Sequence, residues 1–281
     1  MISEFSFNSN IKDNSRLFSE FDYIDNIPFF QKVSKISFSP GINVLIGPNG
    51  CGKSTVLKLL ASSLAAEQGG RSTVTHSWLS SIRGMSERYS VVHDGQPILA
   101  CDTNNDVGLI GGMAGFDDDF MAQGIAATQR RMSSGWTRMD RMAPILKAVL
   151  FNAEFPDKIA LGNGLRDKDI PDFLKGTIPL GPRTVLVDEP ESALTFSAQK
   201  NIIDKLIDGA RKHGYQLIFA THSPFILPYL EDDDICYHNM SERATFKLEA
   251  QLAIIDLGDA LLKKVQQRLK KKKEESKNDQ A

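Results

Sequence analysis

The stretch that most limits how this chain can fold is GPNGCGKST, residues 47–55, which matches the pattern G-x-x-x-x-G-K-[ST] in full. Glycines let a backbone wrap around a phosphate so that successive N–H groups point inward. The apolar run before the stretch and the helical pattern after it predict a strand, a phosphate loop and a helix whose N-terminus favours an anion. The predicted nucleotide-binding residues are Gly47, Pro48, Asn49, Gly50, Cys51, Gly52, Lys53, Ser54 and Thr55.

Two residues of this loop have more specific expected roles. Lys53 should reach the β- and γ-phosphates, and the Ser54 hydroxyl should be a ligand of Mg²⁺. A second strand must then supply an acid for the magnesium shell. The run VLVDEP, residues 185–190, fits that need because continuous apolar residues indicate a fully buried strand.

The acids of this second run stand at the carboxyl end of the predicted strand, where open α/β sheets bind ligands. Asp188 is expected to hold Mg²⁺ together with Ser54. Glu189 is expected to orient or deprotonate the attacking water.

The remaining pattern alternates strands with helices and predicts an α/β fold with a mainly parallel central sheet. We expect a helix over about 197–212 ended by Gly214, and a strand within 215–223. Residues 133–155 have a helical pattern that Pro144 should break or kink. Residues 88–102 and 234–250 each read as a β-hairpin.

Composition narrows the class of protein. The chain has 281 residues, 41% hydrophobic and 24% charged, as in ordinary globular proteins of one large or two small domains. A net charge of −2 gives no general electrostatic attraction to nucleic acid or anionic membranes. Three widely spaced cysteines exclude a disulfide framework and favour a reducing cytosol. No apolar run is long enough for direct membrane insertion, so we expect a cytoplasmic protein.

The order of the motifs points to a family. The phosphate loop, Asp188-Glu189 and then His222, at the end of LIFATHSP, together resemble the ABC-type ATPases. The resemblance implies ATP with Mg²⁺ as cofactors and catalytic roles for Lys53, Glu189 and His222, of which the histidine senses the γ-phosphate.

The same resemblance requires a Ser-Gly signature that completes the active site of a partner subunit. RMSSGWT supplies Ser133, Ser134 and Gly135 ahead of the acidic strand. Two serines and a glycine also make an ordinary helix cap and turn. Trp136 stands where the signature commonly has Gln or Glu.

The acidic motif separates two branches of the family. Asp188 to Glu191 read Asp-Glu-Pro-Glu, which resembles the soluble "AAA family" branch related to RecF, SMC and the overcoming-lysogenization-defect (OLD) ATPases. Ser192-Ala193-Leu194 is closer to transporter subunits and keeps that alternative open. Between Lys53 and Ser133 there is no room for the long coiled-coil arms of SMC proteins.

These resemblances imply a P-loop NTPase fold of ABC type, with helices on both faces of a mainly parallel sheet, an antiparallel β portion and a small helical signature region. One domain over 1–262 is expected, with a hairpin and signature subregion near 71–150 and a charged helix end and disordered tail over 263–281. The implied protein forms a homodimer or higher oligomer on ATP. It controls a separate effector, a nuclease or toxin, in DNA repair or anti-phage defence; the alternative is the ATP-binding subunit of a membrane transporter.

Several assignments stay open at this point. The glutamine loop falls at Gln96 or within 102–106, and an adenine-stacking aromatic at Tyr23 or Phe21, either of which could as easily belong to the core. The acids of 231–234 are expected in a solvated loop. Nucleic-acid contact through the arginines near the signature or the lysines of the tail also stays open; these are Arg130, Arg131, Arg138, Arg141, Lys263, Lys264, Arg268 and Lys270 to Lys273.

Overall fold

The computed structural model describes residues 1–10, 22–63, 67–68, 71–72, 88–94, 98–102, 142, 145–147, 149–151, 184–241, 243 and 245–278. They fall into two compact units, Met1–Glu242 and Arg243–Ala281. The first unit contains both sheets. The second contains one long helix.

The central sheet has seven strands in the order β10-β3-β9-β8-β7-β4-β5. All neighbouring pairs are parallel except the last, β4 with β5. The strands are β3 (Ile42–Ile46), β4 (Glu67–Gln68), β5 (Arg71–Ser72), β7 (Leu99–Asp102), β8 (Thr184–Asp188), β9 (Gln216–Ala220) and β10 (Ile235–Asn239). A parallel central sheet is what the sequence predicts.

A second, antiparallel sheet has the order β2-β1-β6 and confirms the predicted antiparallel portion. Its strands are β1 (Ile2–Phe7), β2 (Ser34–Ser37) and β6 (Tyr89–His93). The α-helices whose two ends lie within the described residues are α1 (Lys53–Ser63), α2 (Phe196–His213) and α3 (Phe246–Asn278), and 3-10 segments cover Asp22–Asn26, Pro28–Gln31 and Pro224–Glu231.

Helices pack on both faces of the central sheet, as expected. Every residue of β3, β8 and β9 is buried, which explains their continuous apolar sequence. Side chains alternate between faces, so Leu45 joins the core formed with α1, whereas Val44 joins the core formed with α2. Helix α2 ends as predicted at Gly214, whose left-handed φ of 70° suits glycine.

One buried amide joins the two sheets. Gln216, at the start of β9, accepts a hydrogen bond from the Ile2 N–H at 2.7 Å and donates to the Ile2 carbonyl at 2.6 Å. It also donates to the Ser39 carbonyl and accepts from the Thr184 hydroxyl. The first strand of the chain is thereby attached to the middle of the central sheet.

Both predicted hairpins are wrong. β6 pairs antiparallel with β1, whereas β7 pairs in parallel with β8, so the two arms of 88–102 belong to different sheets. β10 pairs in parallel with β3, and residues 246–250 open helix α3 instead of returning as a strand. In both places the predicted hairpin strands pair with strands that are distant in sequence. A local turn pattern does not identify such partners. The domain boundary expected at residue 262 stays a prediction.

Candidate nucleotide-binding site

The phosphate loop follows β3 and depends on its glycines. Gly47, Gly50 and Gly52 have φ of 152°, 78° and 107°, conformations that side chains rarely adopt. A Cβ on Gly47 would stand 2.7 Å from the Cys51 Sγ, and one on Gly52 would stand 3.0 Å from the Ile27 Cγ2. The loop is therefore tightly folded on itself and on the segment before Pro28–Gln31.

Lys53 begins helix α1 and turns back into this loop. Its side chain is buried, and its Nζ donates to the carbonyls of Gly47 at 2.9 Å and Pro48 at 3.0 Å. The ammonium group is thus fixed within the loop by two carbonyl contacts. This places a buried positive charge where the sequence predicts the β- and γ-phosphates.

Ser54 and Asp188 join the loop to the acidic strand. The Ser54 hydroxyl donates to the Asp188 Oδ1 at 3.0 Å, and Asp188 is 4% exposed at the carboxyl end of β8. The strands β3, β9 and β8 are neighbours and parallel, so the residues after them meet at one edge of the sheet. The two predicted magnesium ligands are therefore brought together.

Glu189 adopts an unusual backbone conformation. Its φ is +45°, which costs a non-glycine residue on the order of 1 kcal/mol, and its N–H donates to the Ala220 carbonyl at 2.9 Å. Its Oε2 accepts from the Ser192 hydroxyl at 2.8 Å, and its Oε1 lies 3.5 Å from the His222 Nε2. The strained turn thus aims the carboxylate across the end of β9.

His222 completes the group of predicted residues. Burial lowers its pKa below the usual 6.5, the nearby positive charge of Lys53 lowers it further, and the negative charge of Glu189 raises it. The neutral imidazole is therefore favoured at pH 7. A neutral ring can donate from one nitrogen while it accepts at the other.

Glu191 has a structural role that sequence reasoning missed. Its carboxylate is 6% exposed, and its Oε1 accepts from the backbone N–H groups of His222 at 2.6 Å and Ser223 at 3.0 Å. Burial raises the pKa of Glu191, and the hydrogen bond from His222 acts in the opposite direction. The carboxylate therefore fixes the backbone that carries the histidine; an acid after Asp-Glu-Pro in an apolar context is the only sequence signal of it.

The other predicted residues are placed less fully. Ser133, Ser134 and Gly135 lie outside the described residues, as do Gln96, Phe21 and the four arginines near the signature. The backbone of Tyr23 lies in the 3-10 segment Asp22–Asn26, and its role with adenine stays a prediction. Asp232 and Asp234, in the predicted solvated loop, both accept from the Arg211 guanidinium at 2.6 Å.

Two protein families match the parts of the chain that carry these residues. Residues 23–96, with the phosphate loop, match a family described as an AAA domain. Residues 173–227, with the acidic strand and His222, match a second AAA domain family, whose description links it to the AbiEii toxin of a type IV toxin–antitoxin system. The chain is 27% identical over 198 residues to the peptidoglycan transport ATP-binding protein YejF of Agrobacterium fabrum. This chain contains an ABC-type P-loop ATPase domain.

The match to YejF covers 67% of this chain and 33% of that protein, so the ATPase domain spans about a third of its relative. The achromobactin transport ATP-binding protein CbrD of Dickeya dadantii is 25% identical over 253 residues, which cover 86% of this chain and 81% of CbrD. No described helix has an apolar stretch that could cross a bilayer.

Solved structures give weaker likenesses. The cbiO1 structure from Clostridium perfringens, part of the ABC transporter complex cbiONQ, is 14% identical, covers 82% of each chain and has a TM-score of 0.37. The ATP-binding cassette MJ0796, a dimeric structure bound to ADP and phosphate, is 16% identical, covers 75% of this chain and 88% of its own, and has a TM-score of 0.34. At these scores the likenesses add nothing to the strand order described above.

Proposed function

We propose that the ATPase domain hydrolyses ATP with Glu189 as general base and His222 as the residue that contacts the γ-phosphate. The observation that carries this proposal is the meeting of Lys53, Ser54, Asp188, Glu189 and His222 at one edge of the central sheet. Lys53 and the loop N–H groups bind the phosphates. The Glu189 carboxylate, held by Ser192, takes a proton from the attacking water, and the neutral His222 hydrogen-bonds the γ-phosphate.

The residues present also fit Mg²⁺. The Ser54 hydroxyl and the Asp188 carboxylate are hard oxygen donors whose oxygens lie 3.0 Å apart. Mg²⁺ binds proteins through few side chains and takes its other ligands from phosphates and water, so a pair is sufficient. Ser54 and Asp188 would hold the ion, which neutralises charge on the phosphates when it is bound.

The dimer belongs to the same proposal. Family resemblance assigns Ser133, Ser134 and Gly135 to the active site of a second subunit, so two chains close head-to-tail around two ATP molecules. ATP favours the closed state and hydrolysis releases it.

Two uses of this cycle have separate support. The curated relatives YejF and CbrD are both transport ATP-binding proteins, which favours an ATP-binding subunit of a membrane transporter. The second family match, over residues 173–227, carries a toxin description, and Glu191 gives the Asp-Glu-Pro-Glu sequence of the soluble branch. These two observations favour control of a separate nuclease or toxin, in repair or anti-phage defence.

The catalytic assignment is tested with Glu189→Gln. Loss of the general base should lower the ATPase rate at least about 100-fold while ATP affinity changes little, measured by phosphate release and by nucleotide titration. Glu4→Gln, the same change at a partly exposed ion pair with Lys35 in the antiparallel sheet, is the matched control and should keep the parental rate. Turnover of Glu189→Gln at the parental rate would show that the base is another group.

The two uses are separated by purifying Glu189→Gln with ATP and Mg²⁺ from its native cell and identifying its partners by mass spectrometry. An integral membrane protein supports the transporter subunit. A soluble nuclease, a toxin or nucleic acid supports effector control. Partners that also co-purify with a Lys53→Ala chain, which should not bind ATP, count for neither.

A further inference from the structure

Helix α3 presents an exposed apolar stripe. The helix has 33 residues and is about 50 Å long at 1.5 Å per residue. Eight of its apolar side chains are each more than half exposed, of which Leu257 and Leu261 lie outside the stripe. The other six recur at spacings of three, four and seven residues, which return to one side of a helix. They are Leu248, Leu252, Ile255, Leu262, Val265 and Leu269.

The spacing along this stripe is the same from either end. Successive gaps are 4, 3, 7, 3 and 4 residues, and their midpoint lies between Gly258 and Asp259. A second α3 laid antiparallel about that midpoint brings every stripe residue opposite another one. The facing pairs are Leu248 with Leu269, Leu252 with Val265, and Ile255 with Leu262.

Charges on one flank of the stripe favour the same orientation. Four residues at heptad spacing flank it on one side, two acids and then two lysines: Glu249, Asp256, Lys263 and Lys270. In an antiparallel helix pair each flank faces its own counterpart reversed, so acids meet lysines. Asp256 then lies near Lys263 of the second copy. In a parallel pair that flank would face the opposite one, which consists of Lys247, Ile254, Leu261 and Arg268, so Asp256 and Lys263 would meet apolar side chains and Lys270 would meet Arg268. In the antiparallel pair the opposite flank places Lys247 near Arg268 of the second copy, one like-charge contact against the two opposite-charge contacts of the first flank.

We propose that α3 pairs antiparallel with α3 of a second copy of this chain and forms a dimer that needs no nucleotide. The apolar stripe supplies the buried contact, and the charged flank sets the orientation. This dimer uses residues outside the nucleotide site. It can therefore hold two ATPase domains together in both the ATP-bound and the ATP-free state.

Light scattering of the full chain without nucleotide tests the pairing. The parent should have twice the monomer mass of 31.1 kDa, and Ile255→Asp should halve the measured mass. Leu257→Asp is the matched control, because Leu257 is equally exposed but points about 200° away around the helix, and it should stay dimeric. A monomeric parent, or equal loss of dimer in both variants, overturns the proposal.

Cysteine cross-linking tests the orientation. Asp259 lies on the stripe at its midpoint, so Asp259→Cys should form a disulfide with its own copy in an antiparallel pair. Leu248→Cys should not, but a mixture of Leu248→Cys and Leu269→Cys should give the mixed dimer. Self-cross-linking of Leu248→Cys indicates a parallel pair and refutes the antiparallel arrangement. The parent chain, with its three native cysteines, gives the background.

ATP binding serves as the independent readout. Ile255→Asp alters no residue of the nucleotide site, so it should still bind ATP. If Ile255→Asp loses the nucleotide-free dimer but still binds ATP, the pairing of α3 is independent of the nucleotide site. The proposal about the catalytic residues is tested separately, by Glu189→Gln.

Discussion

Replacing Glu191 with alanine should loosen the turn that carries His222. The Glu191 carboxylate is buried and accepts from two backbone N–H groups, those of His222 at 2.6 Å and Ser223 at 3.0 Å. The Ser223 N–H has a second acceptor, the Thr221 hydroxyl at 3.0 Å, whereas its neighbour depends on the carboxylate. The change therefore leaves one donor, the His222 N–H, without its acceptor.

The size of the effect follows from that single donor. A buried N–H group without an acceptor costs about 1–3 kcal/mol. For a domain of this size each kcal/mol corresponds to roughly 2–4 °C in melting temperature. We therefore expect Glu191→Ala to melt roughly 2–12 °C below the parent. The ATPase rate should fall as well, because the backbone of the γ-phosphate residue is no longer fixed.

Glu191→Gln separates the hydrogen bonds from the charge. Its amide oxygen can still accept from His222 and Ser223, so at low pH it should melt close to the parent. Burial raises the pKa of Glu191, so the folded chain releases this proton at a higher pH than the unfolded chain, whose value is near 4.5. The stability that this group contributes is complete below pH 4.5 and is lost as the pH rises through the folded pKa.

The assay is thermal unfolding followed by circular dichroism at pH 4.5 and pH 7 for the parent and both variants. Glu191→Gln should melt close to the parent at pH 4.5 and above the parent at pH 7. Glu191→Ala should melt below the parent at both pH values. If Glu191→Ala unfolds within 1 °C of the parent at pH 7, the carboxylate does not hold the turn and the reasoning fails.

Two further predictions concern the loop and the joint between the sheets. Gly52→Ala should abolish measurable ATP binding by titration, because its φ is 107° and its Cβ would stand 3.0 Å from the Ile27 Cγ2; Gly50→Ala, strained in φ but with open space around the Cβ, should only weaken binding. Gln216→Leu should destabilise the chain by roughly 2–6 kcal/mol in urea unfolding, because the N–H and carbonyl of Ile2 lose their buried partner, and amide hydrogens of β1 should exchange faster. Equal ATP affinity of the two glycine variants, or unchanged exchange in β1, would contradict these expectations.

The sequence predicts the nucleotide site well because its chemistry is local. The phosphate loop requires glycine at fixed positions and a strand and helix on either side, and β3 and α1 stand where the pattern puts them. Asp188 and His222 end apolar runs whose continuity already indicates burial in a parallel sheet. Parallel packing then brings the ends of those runs together without further information.

The misplaced elements have a different origin. Residues 88–102 look like a hairpin because Asp94-Gly95 is a strong turn signal, yet β6 and β7 find partners in separate sheets. The role of Glu191 is equally hidden, because its hydrogen-bond partners, His222 and Ser223, lie about thirty residues away and meet it only through the packing of β8 beside β9. Such pairings depend on distant parts of the chain that a local pattern does not identify.

The strand order also determines when the nucleotide site can assemble as the chain is synthesised. β3 and its phosphate loop leave the ribosome before the two strands on either side of β3, which are β9, about 170 residues later, and β10, about 190 residues later. Until Ala220 has emerged, this strand has neither of its neighbours, and the Asp188 carboxylate that Ser54 meets in the finished protein is not yet joined to β3 through β9. Nucleotide capture therefore follows the synthesis of β9, and a nascent chain stopped before residue 216 has no route to it.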